Sequence, residues 1–311
     1  MTPVDPYGRK LTGLRMAVTP RCNLRCIYCH HEGERGDAGE MDIKRATGIV
    51  RAAASLGLRT LKITGGEPLL RSDLNQIISS ARSAAPFDIS VTTNGILLAE
   101  KAEGLAQSGL DRVNVSLDSL CQERYRRITG AGEGDLDRVL AGIDAALLAE
   151  LHPVKLNMVV LHENQAEIDE MIDLARRKGA VLQLIELMDI GRLGLGGDLA
   201  QVEADLARRA DRTVTRELHR RRKYFLDGAE VEVVRPMDNT EFCAHCSRLR
   251  VTSDGRLKPC LLRSDNLVDV GCSDPEEIRQ AILRANARRA PFFPHQAEGT
   301  KASCPGRNCR L

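Results

Sequence analysis

Through the first two-thirds of the chain, short β-branched runs alternate with longer stretches of helical periodicity. Residues 14–19, 58–64, 87–93, 112–117, 154–160 and 181–187 predict strands. Between the first two, Ile43, Ala46, Ile49, Val50, Ala53 and Leu56 share one helical face, with Asp42 as N-cap and Gly57 as stop. Residues 73–84, 99–108, 135–150 and 164–178 carry further helical patterns. Six strand–helix units predict an α/β fold with a parallel sheet covered by helices, built as an open partial barrel. A doubly wound sheet has the same periodicity and stays open as the alternative.

The pattern changes near Gly191. Gly191-Arg-Leu-Gly-Leu-Gly-Gly197 lacks the setting and the lysine of a nucleotide loop and reads as a connector. A helix near 201–210 follows. Asp227-Gly228 and Asp254-Gly255 then mark two hairpins, 223–226 with 229–234 and 248–252 with 256–262. Pro275 and two glutamates open a last helix over 274–288. The division expected is 1–212 for the barrel and 213–311 for a C-terminal α+β domain with a polar tail.

Composition narrows the function classes. The 311 residues are 42% hydrophobic and 28% charged, ordinary for a globular chain with a core. A net charge of +2 and 3% aromatics, with no Trp, give little for bulk-charge or stacking contacts with nucleic acid, so no nucleic-acid partner is expected. No stretch reads as a membrane span or a secretory signal, so a cytoplasmic, reducing setting is expected.

In that setting ten cysteines point to metal or redox chemistry rather than disulfides. Eight fall in three groups: Cys22, Cys26 and Cys29; Cys243, Cys246 and Cys260; Cys304 and Cys309. Cys121 stands alone and reads as structural. The first group has the spacing C-x₃-C-x₂-C directly after the first strand. Three thiolates can hold three irons of a 4Fe–4S cluster and leave the fourth open; a zinc site completed by His30 is the other reading.

Around these cysteines the chain resembles the radical S-adenosylmethionine (SAM) superfamily. Arg21-Cys22-Asn-Leu-Arg-Cys26-Ile-Tyr28-Cys29 matches its signature, and Thr64-Gly65-Gly66-Glu67-Pro68 ends the second strand where the superfamily has a Gly-Gly-Glu-Pro motif. The resemblance implies that the open iron chelates SAM, and that reduction yields a 5′-deoxyadenosyl radical. Read from the residues, the glycines allow close backbone approach to a ligand and Glu67 offers a carboxylate to an ammonium.

The second group reads C-x₂-C-x₁₃-C, open on spacing alone between zinc and iron–sulfur. With Tyr7-Gly-Arg9, Leu14-Arg15, residues 64–71 and the Arg248-Leu249-Arg250 segment, it resembles the GTP 3′,8-cyclase family of molybdenum-cofactor biosynthesis. The resemblance implies a partial (βα)6 barrel, two 4Fe–4S clusters, and an auxiliary cluster at Cys243, Cys246 and Cys260 that binds guanine. It implies SAM contacts at Tyr28, Gly65, Gly66, Glu67, Ser116 and Met188. It implies GTP contacts at Arg15, Lys62, Thr92, Lys155, Arg248, Leu249 and Arg250. The reaction implied takes a hydrogen atom from ribose C3′ and joins C3′ to C8. A flavodoxin or ferredoxin as electron donor and a downstream enzyme for the product are the partners implied.

The chain departs from the family pattern at several points. Ser247 replaces a frequent Asn, and Thr60 and Gln183 stand where some members have cations. Ser303-Cys304-Pro-Gly-Arg-Asn-Cys309-Arg-Leu311 replaces a C-terminal Gly-Gly. Cys272, Cys304 and Cys309 read as free thiols, a cap on the second cluster, or a separate metal or redox site. The basic run 216–223 reads as a solvated helix or hairpin face, with a polyanion site as the other reading. Two alternatives stand beside the cyclase. One is a radical SAM enzyme with an electron-transfer auxiliary cluster, acting on a peptide or other small molecule. The other is a zinc-bound nucleic-acid or scaffold protein without catalysis.

Overall fold

A computed structural model describes residues 2–34, 39–188, 194–237, 239–271 and 274–292. Cys272, Cys304, Cys309 and residues 191–193 of the connector lie outside these residues.

Six strands make the frame: β1 Gly13–Ala17, β2 Thr60–Thr64, β3 Asp88–Thr93, β4 Arg112–Ser116, β5 Lys155–Val160 and β6 Val181–Glu186. They are parallel and stand side by side in chain order. That order decides between the two architectures left open. A doubly wound sheet reverses its strand order at a switch point. Right-handed crossovers repeated in one direction keep all helices on one face and leave the other to line a partial barrel.

The helices are α1 Ile43–Ser55, α2 Leu74–Ala84, α3 Leu98–Gln107, α4 Gln122–Thr129, α5 Asp135–Leu148 and α6 Ile168–Lys178. In α1 the Asp42 carboxylate accepts from the Arg45 amide at 2.7 Å, which satisfies one of the free first-turn donors. Ala46, Ile49, Val50 and Ala53 on its inner face are at most 1% exposed. Burying a side chain the size of Ile49 contributes about 2 kcal/mol. Gly130 ends α4 and Gly179 ends α6 in the left-handed conformation that glycine adopts without steric cost.

The rest of the chain adds strands to both edges of the same sheet. After α7 Leu199–Arg209 come β7 Arg212–Thr215, β8 Arg222–Leu226 and β9 Ala229–Val234. β9 runs parallel to β6, and β8 and β7 follow antiparallel. Then α8 Thr240–Ala244, β10 Arg248–Val251, β11 Leu257–Lys258 and α9 Pro275–Ala287 return to the opposite edge. There β10 lies parallel to β1, and α9 packs on α1. The eleven-stranded order β11-β10-β1-β2-β3-β4-β5-β6-β9-β8-β7 thus brings late residues beside the first strand. The expected boundary at residue 212 falls on the first residue of β7.

Both expected hairpins are present, although β11 has only two residues. The 164–178 pattern divides into a 3₁₀ turn, Gln165–Glu167, and α6. α4, β7 and α8 carry no sequence expectation. α4 buries only Tyr125, Ile128 and Thr129, all four residues of β7 are exposed, and α8 has five residues. None offers a period to read.

Candidate functional site

The first cysteine loop leaves the C-terminal end of β1 and crosses the mouth of the barrel. The Arg25 and Ile27 amides donate to the Thr129 and Ile128 carbonyls at the end of α4, each at 2.9 Å. The Leu24 and His31 amides each point at a thiol, of Cys22 and Cys29 respectively, at 3.4 Å. Burial pushes all three thiols up. Cys26 moves furthest, because Asp118 and the other two thiols add to the effect. Three sulfurs that feel one another, with no neighbouring cation among the causes of their shifts, form a donor set that a bound cation would relieve.

The Gly-Gly-Glu-Pro turn abuts this loop. The Gly66 amide donates to the Thr19 carbonyl and the Glu67 amide to that of Arg21, both at 2.7 Å. A Cβ on Gly66 would lie 2.2 Å from the Arg21 carbonyl oxygen, and one on Gly65 2.4 Å from that of Thr19. The close approach that needs both glycines is therefore backbone to backbone. The Glu67 carboxylate, offered by the sequence to an ammonium, is 1% exposed and already engaged. It accepts from the amides of Leu69 and Asn94 at 2.9 and 2.7 Å and from the Thr93 hydroxyl at 2.7 Å. It fixes the turn to the end of β3.

Tyr28 reaches from the loop to Asp118, just beyond β4, and donates to its carboxylate at 2.5 Å. The Val159 amide donates to the other oxygen at 2.9 Å. Asp118 is 1% exposed, and burial pushes its carboxyl up to about 6 even against these donors. Ser116 ends β4 and Met188 follows β6, both partly exposed at the same end of the sheet. A small cavity opens between Thr19, Pro20, Gly65 and Gly66 on one side and His31, Glu32 and Glu34 on the other.

The inner face of the barrel is strongly basic. Paired register puts Arg250, Arg15, Lys62 and Ser90 in one row across β10, β1, β2 and β3. Burial pulls the Lys62 ammonium well below its usual range, and Arg15, Arg248, Arg221 and Lys155 add to the effect. Burial, then Arg221 and Arg15, bring Arg248 down to about 9. Leu249 alternates to the other face and is 0% exposed in the helix-covered core, apart from its two arginine neighbours.

Two carboxylates offset part of this charge. Glu32 takes Arg15 in a two-pronged pair and Arg250 at 2.6 Å. Burial would raise it, but the two arginines hold it at about 2. Glu232 on β9 takes Lys155 at 2.6 Å, with Arg216 and Arg221 behind at 3.4 and 3.3 Å. These cations overcome its burial and hold it, too, at about 2. The Thr92 hydroxyl and the Asn157 amide oxygen are buried with no hydrogen-bond partner.

The second cysteine group sits beside this basic face. Cys243 and Cys246 lie in and just after α8, and Cys260 follows β11. Burial raises the Cys260 thiol, and Cys246 and Cys243 contribute. Cys246 is pulled down despite its burial by Arg289, Arg9 and Arg248. Arg9 donates to the Cys243 carbonyl at 2.9 Å and Arg289 donates to that of Cys246. Asp5 braces both arginines, at 2.7 and 3.3 Å. The Tyr7-Gly-Arg9 segment therefore holds the turn that carries the second group. Among the described residues no three His, Cys, Asp or Glu side chains are gathered at single-ion ligand distances.

Sequence reasoning missed Glu32 and Glu232, and it read the run that holds Arg216, His219 and Arg221 first as a solvated face and only second as a polyanion site. The basic run 216–223 is not a solvated face throughout. The Arg221 side chain is only 12% exposed and turns inward to Glu232. A charge run suggests solvent unless a buried counter-charge is known, and Glu232 looked like one polar position of an alternating strand.

Comparison with known proteins adds an independent line. The Radical SAM superfamily model matches residues 16–175, and the Molybdenum Cofactor Synthesis C model matches residues 180–293. The chain is 50% identical over 293 residues to a probable GTP 3′,8-cyclase of Methanocella arvoryzae, covering 93% of this chain and 94% of that protein. It is 52% identical over 303 residues to a probable GTP 3′,8-cyclase of Methanosarcina mazei, covering 93% and 90%. Among solved structures, Streptococcus suis SuiB superposes with a TM-score of 0.63 at 16% identity, over 82% of this chain and 61% of that one. Native anSMEcpe with bound AdoMet gives 0.53 at 15%, over 82% and 76%. At such identities these two likenesses concern the fold alone.

Proposed function

The chain belongs to the radical SAM superfamily and, within it, to the GTP 3′,8-cyclase family, and we propose from this premise how its residues divide the work. The activity is conversion of GTP to 3′,8-cyclo-7,8-dihydro-GTP in molybdenum-cofactor biosynthesis, with SAM and two 4Fe–4S clusters as cofactors.

Cys22, Cys26 and Cys29 would hold the SAM cluster, and Cys243, Cys246 and Cys260 the auxiliary one. Both triads fit, because each is an all-sulfur donor set whose members sense one another. When bound, the first cluster with SAM supplies a carbon-centred radical able to take a hydrogen atom from the substrate. Gly65 and Gly66 keep the second motif against the cysteine loop. Tyr28, Ser116 and Met188 border the SAM side of the mouth. Residues 1–212 are assigned to this half and 213–311 to the half that carries the auxiliary cluster.

The observation that carries the substrate assignment is the row Arg250–Arg15–Lys62, with Arg248, between the two triads. Guanidinium forks match phosphate oxygens, and a triphosphate would offset the burial, and the repulsion between cations, that hold Lys62 and Arg248 down. Thr92 and Lys155 lie on the same inner face. The chemistry classes the enzyme as a lyase and calls for a low-potential donor of the flavodoxin or ferredoxin kind. It also calls for a second enzyme to take the product onward and for a cytoplasmic, reducing setting. No helix among the described residues is long and apolar enough to cross a membrane. Anaerobic incubation with SAM, reductant and GTP, followed by mass spectrometry, tests the reading. GTP-dependent 5′-deoxyadenosine and an isomer of GTP are expected; SAM cleavage with GTP returned unchanged would send the search to another substrate.

A further inference from the structure

We propose that Arg221, supported by Arg216 and His219, is a phosphate-binding and specificity-determining residue that grips the triphosphate. The proposal rests on GTP being the substrate, as argued above. It concerns which residues of this chain hold the phosphates.

Gln183 on β6 is uncharged and 6% exposed. Gln183 pairs in register with Glu232 on β9. Glu232 is the point at which the basic hairpin enters the barrel. Lys155 holds its carboxylate closely, at 2.6 Å, whereas Arg221 stands at 3.3 Å and Arg216 at 3.4 Å. One carboxylate thus faces three cations. Lys62 and Arg248, both close enough to Arg221 to be destabilised by it, have no carboxylate at ion-pair distance among the described residues. The local charge calls for an anion.

The turn between β7 and β8 is built to aim Arg221 inward. His219 and Arg220 adopt positive φ of 59° and 51°, a strained conformation for residues with a side chain. The strain is held by tertiary contacts. The His219 ring stacks on Phe242 at 3.8 Å and 17°, and its amide donates to the His245 carbonyl at 3.2 Å. Both partners belong to the segment that carries Cys243 and Cys246. The Arg221 guanidinium contacts the His219 Nδ1 at 3.0 Å. The Nε of Arg221 and the Nε2 of His219 are nevertheless buried without a hydrogen-bond partner. Leaving buried polar groups unpaired is costly unless a ligand completes them. A fork with a free Nε, and one Nη group held by Glu232 only at 3.3 Å, suits a phosphate with two oxygens presented side by side. Strain at this turn then has a use: it fixes Arg221 relative to the segment that carries Cys243 and Cys246.

The test uses the anaerobically reconstituted enzyme and measures dissociation constants for GTP, guanosine, inorganic triphosphate and SAM. Arg221→Met is expected to weaken GTP and inorganic triphosphate at least tenfold and to leave guanosine and SAM unchanged. GTP affinity within twofold of the parent would overturn the proposal, as would equal losses for GTP and guanosine. Where Arg221→Met also loses SAM binding, Arg221→Lys carries the test, since it keeps the charge and removes the fork. A threefold or larger loss for GTP with guanosine and SAM unchanged supports the grip, and an unchanged GTP affinity refutes it. A parent enzyme that binds no GTP at all would refute the substrate reading instead.

Discussion

Replacing Glu32 by Gln removes the carboxylate from between Arg15 and Arg250. Its side chain is 12% exposed and those of the two arginines 20% and 21%, so solvent screens the group little. Held at about 2 against an ordinary 4.5, the carboxylate stabilises the fold by about 3 kcal/mol at neutral pH. Because its folded value lies below its unfolded one, this contribution is complete above about pH 4.5 and is lost as pH falls toward 2. Glu32→Gln should therefore unfold more easily in urea at pH 7 by about 3 kcal/mol, with the gap narrowing below pH 4. Saturating GTP should restore part of the loss, because its phosphates would supply the charge that Glu32 gave. A difference below about 0.5 kcal/mol at pH 7 would refute the argument that this carboxylate sets the resting charge of the site.

Three further perturbations probe other parts of the site. Gly66→Ala places a Cβ 2.2 Å from the Arg21 carbonyl oxygen and must displace the cysteine loop, so 5′-deoxyadenosine formation should fall at least tenfold; parental rates would mean that the loop tolerates the shift. Asp118, raised to about 6 from an ordinary 3.8, disfavours the fold as pH rises through that interval. Asp118→Asn should then be about 1–3 kcal/mol more stable than the parent at pH 7, with the gap closing near pH 4; equal melting curves at both pH values would show that the buried carboxylate carries no penalty. Arg248→Ala and Arg250→Ala should each spare SAM cleavage and lose the cyclised nucleotide at least tenfold, and full cyclisation in either would contradict the GTP-site assignment.

The frame of the barrel was legible because β-branched and apolar residues recur on the helix-covered face of its strands, such as Leu14 and Met16 on β1 and Leu61 and Ile63 on β2, each at most 1% exposed, with helical periods between them. The cap of α1 was legible for a local reason: Asp42 and the amide it accepts from are three residues apart. The electrostatics of the site were not local. Arg250 meets Glu32 across 218 residues and Lys155 meets Glu232 across 77, so neither pair leaves a spacing to recognise. Gly65 and Gly66 were legible as residues that something approaches closely, but not what approaches. The inward turn of Arg221 depends on a carboxylate on β9 and a ring on α8, both fixed only once the sheet is assembled.

The two cysteine triads and the basic row between them are proposed to act on one GTP molecule. GTP deuterated at ribose C3′, incubated anaerobically with the reconstituted enzyme, SAM and reductant, tests it most directly. One deuterium is expected in 5′-deoxyadenosine, with a cyclised product at the mass of unlabelled GTP, since the label leaves with the hydrogen atom and one electron and one proton restore the formula. Unlabelled 5′-deoxyadenosine beside intact deuterated GTP would contradict it.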